Sequence, residues 1–336
     1  MPSPRILLVR FSSLGDVLLM TPLIRALRVR HPDATLTAMT KESWAPLLSA
    51  NPHLDEVVAI TSGDSVVGLA RALRGANYTH RLDLHTSARS RMLRLLVPGH
   101  WNSFRTRRRE RRALIRWKRD TYGIHVPIAE RYFEAATELD VRPDGRSAEL
   151  FISPAAEARA DSWLAAHGLD QAARLVAFAP GAAHATKRWP LAHWRTLAAN
   201  LGQAGIHVVV LGDARERDAA ACLIAASPGR SASAAGDLDL QASGALLRRC
   251  SALVSGDTGP MHMAAAVGTP VVALFGPTVE LFGFFPYQAR AAVIERTLTC
   301  RPCSSKGGPH CPLGHHRCMT EILPEEVMAR TVEWCR

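Results

Sequence analysis

The sequence predicts an α/β protein made of two Rossmann-like domains with a cleft between them. Three observations carry this. The chain has 336 residues, too many for one ordinary core and suited to two domains of about 150 residues each. Strand-like apolar runs alternate with helix-like segments, the pattern of parallel sheets covered by helices on both faces. The alternation then starts afresh beyond residue 155, giving residues 1–155 as an N-terminal domain and 156–336 as a C-terminal one.

In the first half, "RILLVRF" (5–11), "ATLTAM" (34–39), "EVVAI" (56–60) and "HRLDLH" (80–85) read as buried strands. Between the first two, Val17, Met20, Ile24 and Leu27 recur at helical spacing, so a helix is expected over 17–30. "HPDA" ends it, because proline cannot continue a helix. A second helix is expected over 87–96. In the second half the strands are "RLVAFAP" (174–180), "IHVVVLGD" (206–213), "ALVSGD" (252–257), "PVVALFG" (270–276) and "AAVIE" (291–295). Helices are expected over 190–203, 216–226 and 259–267.

Composition narrows the class. Hydrophobic residues make up 47% and charged residues 21%, a globular balance. No apolar run approaches the ~20 residues that span a bilayer, and the N-terminus has no signal-peptide pattern. A cytoplasmic protein is expected. The net charge of +11 favours an anionic partner. Charge alone leaves nucleic acid, anionic lipid and a phosphorylated substrate open.

In open parallel sheets, ligands sit at the C-terminal ends of the strands. That rule selects "SSLGD" (12–16), "PGAAHATKRWP" (180–190) and "SGDTGPMH" (255–262). The last opens a helix, whose unpaired N–H groups and positive dipole end suit a phosphate. Gly259 lets an anion approach, Thr258 adds a donor, and Pro260 fits a first turn. The same residues also suit a plain capped helix. Lys187 can neutralise a diphosphate as a point charge, or belong to a solvated basic loop. Asp16 can accept a proton from an attacking hydroxyl, or merely suit a helix start. G-x-x-x-x-G-K-[ST] is absent, and so is G-x-G-x-x-G after either first strand; a P-loop NTPase and an ordinary NAD dehydrogenase are disfavoured.

Together, "ILLVRFSSLGDVLLMTPLIRALRVRHPDA", "APGAAHATKRWPLAHWRTLA" and "VSGDTGPMHMAAAVGTPVVALFGPT" resemble the signature segments of glycosyltransferase family 9, the ADP-heptose:lipopolysaccharide heptosyltransferases. The resemblance extends from Arg5 to about Glu326. It implies the GT-B architecture, with the acceptor on the N-terminal domain and the nucleotide sugar on the C-terminal one. It implies an inverting transfer of heptose from ADP-heptose to the inner core of lipopolysaccharide, with no metal or other cofactor in the chemistry. Asp16 then corresponds to the catalytic base, and Lys187 to a contact with the donor phosphates. Asp257 corresponds to the acid near the donor sugar, Thr258 and Gly259 to the pyrophosphate turn, and His262 to a further position of that motif. Glu216 matches a ribose-binding glutamate more loosely. Relatives often carry Thr or Ser where this chain has Ala182 and Ala183, and Thr186 is the candidate substitute. Two alternatives remain: a family-9 transferase with another nucleotide sugar or acceptor, and a non-catalytic protein of the same fold binding anions or nucleic acid.

Two segments stand apart. "RTRRRERRALIRWKR" (105–119) holds nine basic residues in fifteen. Arg105, Arg107, Arg108, Arg109, Arg111 and Arg112 are candidate contacts to an anionic lipopolysaccharide acceptor, or to the inner face of the inner membrane in a peripheral association. A solvated helix face and a nucleic-acid arm are the rival readings. The Cys-rich segment 300–318 places Cys300, Cys303, Cys311 and Cys318 near three histidines, so a structural zinc is one expectation. Unliganded thiols and a disulfide are the others. Cys222, Cys250 and Cys335 are expected to be buried.

Overall fold

The structure, a computed structural model, describes residues 3–335; the outermost domain limits, at 1 and 336, fall outside them. The chain divides into two compact units. The first comprises the residues up to Arg107 together with Val126–Phe151; the second comprises Arg108–His125 and everything from Ile152 onward.

The first unit runs β1 (Arg5–Val9), α1 (Leu14–Leu18), α2 (Thr21–Arg30), β2 (Thr35–Lys41), β3 (Glu56–Ile60), α3 (Val66–Gly75), β4 (His80–Asp83), α4 (Ala88–Leu96) and β5 (Trp101–Ser103). After α5 (Arg108–Trp117), which packs in the second unit, α6 (Ile128–Arg131) returns to the first. The five strands are all parallel, in the order β3-β2-β1-β4-β5. Ile6 to Val9 are fully buried, as expected of a central strand covered on both faces. Order reverses at β1, so the loops after β1 and β4 flank its switch point.

The second unit contains α7 (Pro154–Ala166), β6 (Leu175–Ala179), α8 (Leu191–Gln203), β7 (His207–Val210), α9 (Arg217–Ala226), β8 (Ser231–Ser233), α10 (Leu240–Arg248), β9 (Ala252–Gly256), α11 (Gly259–Ala266), β10 (Val271–Phe275), β11 (Ala291–Glu295), α12 (Arg317–Thr320) and α13 (Pro324–Val332). Its parallel sheet has the order β11-β10-β9-β6-β7-β8. Here β6 lies directly against β9, and the switch point falls between them. Phe178 and Trp194 pack at a tilt with centroids 4.9 Å apart, and Trp189 meets Trp194 edge-on at 5.1 Å. The Trp189 indole N–H donates to the Ile322 carbonyl at 3.0 Å. Trp189 therefore anchors the loop after β6 in the core.

Three differences from the sequence reading have clear causes. The helix expected over 17–30 is two helices, because Pro22 sits at the start of α2 and opens a new helix. The short strands β5 and β8 have too few residues to show a period. The basic segment, read as part of the N-terminal domain, packs largely in the second unit. Leu114 and Tyr122 cluster there with Phe282, and Lys118 Nζ donates to the carbonyls of Cys300 and Pro302 at 2.8 and 2.6 Å.

Arg25 of α2 ties down the segment that leaves the first unit. Its buried guanidinium pairs with Asp144 at 2.7 Å and Glu149 at 2.6 Å. Arg25→Ala strands both carboxylates and is expected to cost about 3 kcal/mol of stability at neutral pH. The Arg25 hydrogen bond outweighs burial and holds Asp144 below its usual 3.8. The Asp144 contribution is therefore complete above that value and lost as pH falls through the lower folded one. Urea unfolding at two pH values checks this: the gap between wild type and variant narrows in acid.

Candidate functional site

The first unit places Asp16 beyond the C-terminal end of β1, in the opening turn of α1. Its Oδ2 accepts hydrogen bonds from the Ser13 N–H at 3.1 Å and the Ser13 hydroxyl at 2.8 Å. Its Oδ1 pairs with Arg10 Nη2 at 2.5 Å and takes a longer contact from the Tyr132 hydroxyl at 3.4 Å. Burial pushes the carboxyl upward, but the Arg10 charge and the Ser13 bonds prevail and hold it below the usual carboxylate range. Asp16 is thus an anion at any physiological pH. At the end of β4, His85 is pushed down to about 4, first by burial and then by Arg10, so it stays neutral. Burial also raises Tyr132, which remains a phenol.

In the second unit, adjacency of β6 and β9 brings their following loops together. Lys187 Nζ meets Asp257 Oδ2 at 2.5 Å and the Asp257 carbonyl at 3.0 Å. Both side chains are largely buried, 13% and 9% exposed. A Cβ at Gly256 would lie 3.0 Å from the Lys187 carbonyl, so glycine permits this approach. Thr258 is the N-cap of α11, and its hydroxyl lies 3.0 Å from that of Ser255. Gly259 begins α11 with no side chain over the helix terminus, and Pro260 follows in the first turn. His262 is buried one turn into α11. Glu216 follows β7 and packs against Gly181, where any Cβ would collide with its carboxylate at 2.6 Å. Its Oε2 accepts the Asp213 N–H at 2.8 Å, while burial chiefly raises its pKa.

These two clusters can do different chemistry. A buried, ionised carboxylate with a fixed orientation can accept a proton. A buried lysine beside the bare N-terminus of a helix can hold a diphosphate.

The family model for glycosyltransferase family 9 (heptosyltransferase) matches residues 66–313. The chain belongs to this family. It is therefore a glycosyltransferase of the heptosyltransferase family. It is 28% identical to the lipopolysaccharide heptosyltransferase 2 of Salmonella typhimurium, over 96% of each chain. A crystal structure of a family 9 glycosyl transferase from Veillonella parvula superposes with a TM-score of 0.84 at 24% identity, covering 100% of this chain and 98% of that one. The E. coli ADP-heptose LPS heptosyltransferase II gives 0.76 at 24% identity, covering 98% of each. The fold of this glycosyltransferase is thus GT-B.

Several candidate residues have other surroundings than the sequence suggested. Thr186 is buried, and its hydroxyl accepts the Gly308 N–H at 2.8 Å, fastening the Cys-rich segment. Among the described residues, no group of three or more His, Cys, Asp or Glu side chains is arranged to hold a metal ion. The quartet Cys300, Cys303, Cys311 and Cys318, the candidate zinc ligands, is not so arranged, although Cys318 lies near the other three thiols. His315 Nδ1 accepts the Arg317 N–H and His316 Nε2 bonds the Thr186 carbonyl. Cys318 is buried and pushed up to about 11, first by burial and then by nearby thiols. All seven cysteines are free thiols; Cys250 and Cys335 are buried, but Cys222 is exposed on α9. Of the candidate arginines, Arg105 and Arg107 lie in the first unit. Arg108, Arg109 and Arg112 are exposed on α5, whereas Arg111 stacks over Phe282 at 5.3 Å.

Sequence reasoning missed Arg10, Tyr132, His85 and Thr278. Arg10 had a visible signal, a charge closing the otherwise apolar run of β1. Thr278 follows β10, and the strand-end rule applied to that strand finds it. His85 follows β4, and the same rule finds it; Tyr132 carries no local signal.

Proposed function

We propose that this glycosyltransferase transfers heptose from ADP-heptose to the inner core of lipopolysaccharide, inverting the anomeric configuration. The observation that carries the reading is the Lys187–Asp257 pair at the N-terminus of α11, set at the switch point of the second sheet. The acceptor hydroxyl attacks the anomeric carbon as the bond to the diphosphate breaks, and the bonding pair leaves with ADP. Asp16 takes the hydroxyl proton. Lys187 and the N–H groups of Thr258 and Gly259 meet the charge growing on the diphosphate. Asp257 faces the donor sugar, Glu216 binds the ribose, and His262 supports the turn from within. Lysine and the helix terminus supply the positive charge that departure of ADP requires.

The acceptor is a polyanion, and Arg105, Arg107 and the exposed arginines of α5 attract it. The same stripe, beside the exposed Trp117, suits peripheral contact with an anionic membrane. Among the described residues, no helix is long and apolar enough to cross a membrane.

The test is ADP release from ADP-heptose with heptose-less lipopolysaccharide as acceptor. Wild type is expected to release ADP only when both are present. Reversing charge at Arg108, Arg109 and Arg112 to Glu is expected to raise acceptor KM about tenfold or more at low salt, with donor KM unchanged. Release from another nucleotide sugar alone, or from none, counts against the heptose assignment.

A further inference from the structure

Asp257 is held from two sides, and only one of them is Lys187. The Thr278 hydroxyl donates to Asp257 Oδ2 at 2.7 Å, the same oxygen that Lys187 approaches. The buried threonine hydroxyls of Thr21, Thr269 and Thr331 all donate to backbone carbonyls, satisfying the fold locally. Thr278 spends its proton on a carboxylate of the candidate site instead. Its own backbone is fixed as well: Arg301 Nη2 donates to the Thr278 carbonyl at 2.8 Å, and Arg301 Nε to the carbonyl of Gly276. Glu295 pairs with Arg301 at 2.7 Å from the end of β11. A continuous chain of contacts therefore runs from β11 through Arg301 and Thr278 to Asp257.

We propose that Thr278, braced by Arg301, is a positioning residue that keeps the Asp257 carboxylate oriented when Lys187 turns its charge to the donor diphosphate. This rests on the reading that Lys187 and Asp257 hold the donor. The physical need is specific. A buried carboxylate whose cation is drawn to a ligand loses part of its compensation. A hydroxyl on the same oxygen remains and stops the carboxylate from rotating. Lys187 and Thr278 both bond Asp257 through Oδ2, which leaves Oδ1 to face the sugar.

The experiment compares Thr278→Val, which keeps shape but not the hydroxyl, with Thr278→Ser, which keeps the hydroxyl. Turnover of ADP-heptose, ADP affinity by calorimetry and melting temperature are read for each. T278V is expected to lose about 10–100-fold in kcat, the worth of one hydrogen bond to a charged group. ADP affinity is expected to stay within about threefold, because ADP lacks the transferred sugar that Asp257 is proposed to face. T278S is expected to restore most of the turnover. In an Asp257→Asn background, T278V should cost less than about threefold, since the two act through one contact. Should T278V melt too low to assay, Thr278→Ala replaces it in the same comparison. An active wild type with T278V equal to it, or with T278S as poor as T278V, overturns the inference while leaving the function standing. So does an undiminished T278V effect in D257N. A wild type that neither binds nor turns over ADP-heptose overturns the functional reading, and the positioning role with it.

Discussion

Replacing Asp16 by asparagine is expected to lower kcat by about 10²–10⁴-fold, the range for losing a general base, while ADP affinity changes little. Asparagine keeps an oxygen for the Ser13 N–H, so the opening turn of α1 retains its cap. What disappears is the charge that accepts the proton. Melting temperature must be read beside turnover, because Arg10 loses its partner and a broken buried pair costs about 3–5 kcal/mol. If Asp16 served only as a cap, D16N would turn over like wild type, and Ser13→Ala would do at least as much harm. The pH dependence sharpens the test. Burial pushes Asp16 up from 3.8, yet Arg10 and Ser13 hold it lower. The acid limb of kcat/KM that belongs to Asp16 therefore lies below the ordinary carboxylate range. Arg10→Gln removes the principal lowering influence and leaves burial in command, so that limb moves up toward neutrality. The stability linkage has the matching sign. In wild type, ionised Asp16 stabilises the fold above 3.8, and this is lost as pH falls through the folded value. In R10Q, the buried carboxylate is without its cation and destabilises the fold wherever it is ionised.

How far the sequence could be read follows from where each signal resides. Strands such as Glu56–Ile60 and Ala291–Glu295 were legible to the residue, because each is a short run rich in Val, Ile and Ala with sharp ends; the burial expected for Glu56–Ile60 is not found, since β3 is an edge strand with only Ile60 buried. Two tandem sheets and the three strand-end loops followed from the alternation. The pairing of Lys187 with Asp257 was not legible across a separation of 70 positions. It depends on β6 lying against β9, a fact of sheet order that no local pattern encodes. The basic run misled for the same reason. Its charge is plain, but its place in the second unit is decided by Leu114 and Tyr122 against Phe282, far along the chain. The cysteines show the opposite failure. Their spacing invites a metal, and Cys318 does lie near the thiols of Cys303, Cys311 and Cys300, yet His316 is turned to Thr186 and no group of three or more His, Cys, Asp or Glu side chains among the described residues is arranged to hold an ion.

Replacing Lys187 by alanine is expected to lower kcat by about 10²–10³-fold, as for removal of one preorganised donor to a developing anion, and to weaken ADP binding as well. Two effects add in this variant. The diphosphate loses its cation, and Asp257 is left as a buried anion sharing only the Thr278 hydroxyl. That lone carboxylate repels the ligand, so the single variant exaggerates what lysine itself contributes. The double variant Lys187→Ala with Asp257→Asn separates the two. It is expected to bind ADP more tightly than K187A alone, by about tenfold, while its turnover stays low on the proposed role of Asp257 at the sugar. Raising ionic strength should weaken ADP binding in wild type only modestly, since the pair lies largely out of solvent. A purely structural ion pair predicts something else. K187A would then lower melting temperature with ADP affinity intact, and Lys187→Met with Asp257→Leu, which fills the space with apolar groups, would restore stability at full activity. Calorimetry with ADP on the three variants distinguishes the two cases, because a structural pair has no reason to repel a nucleotide when its cation is removed.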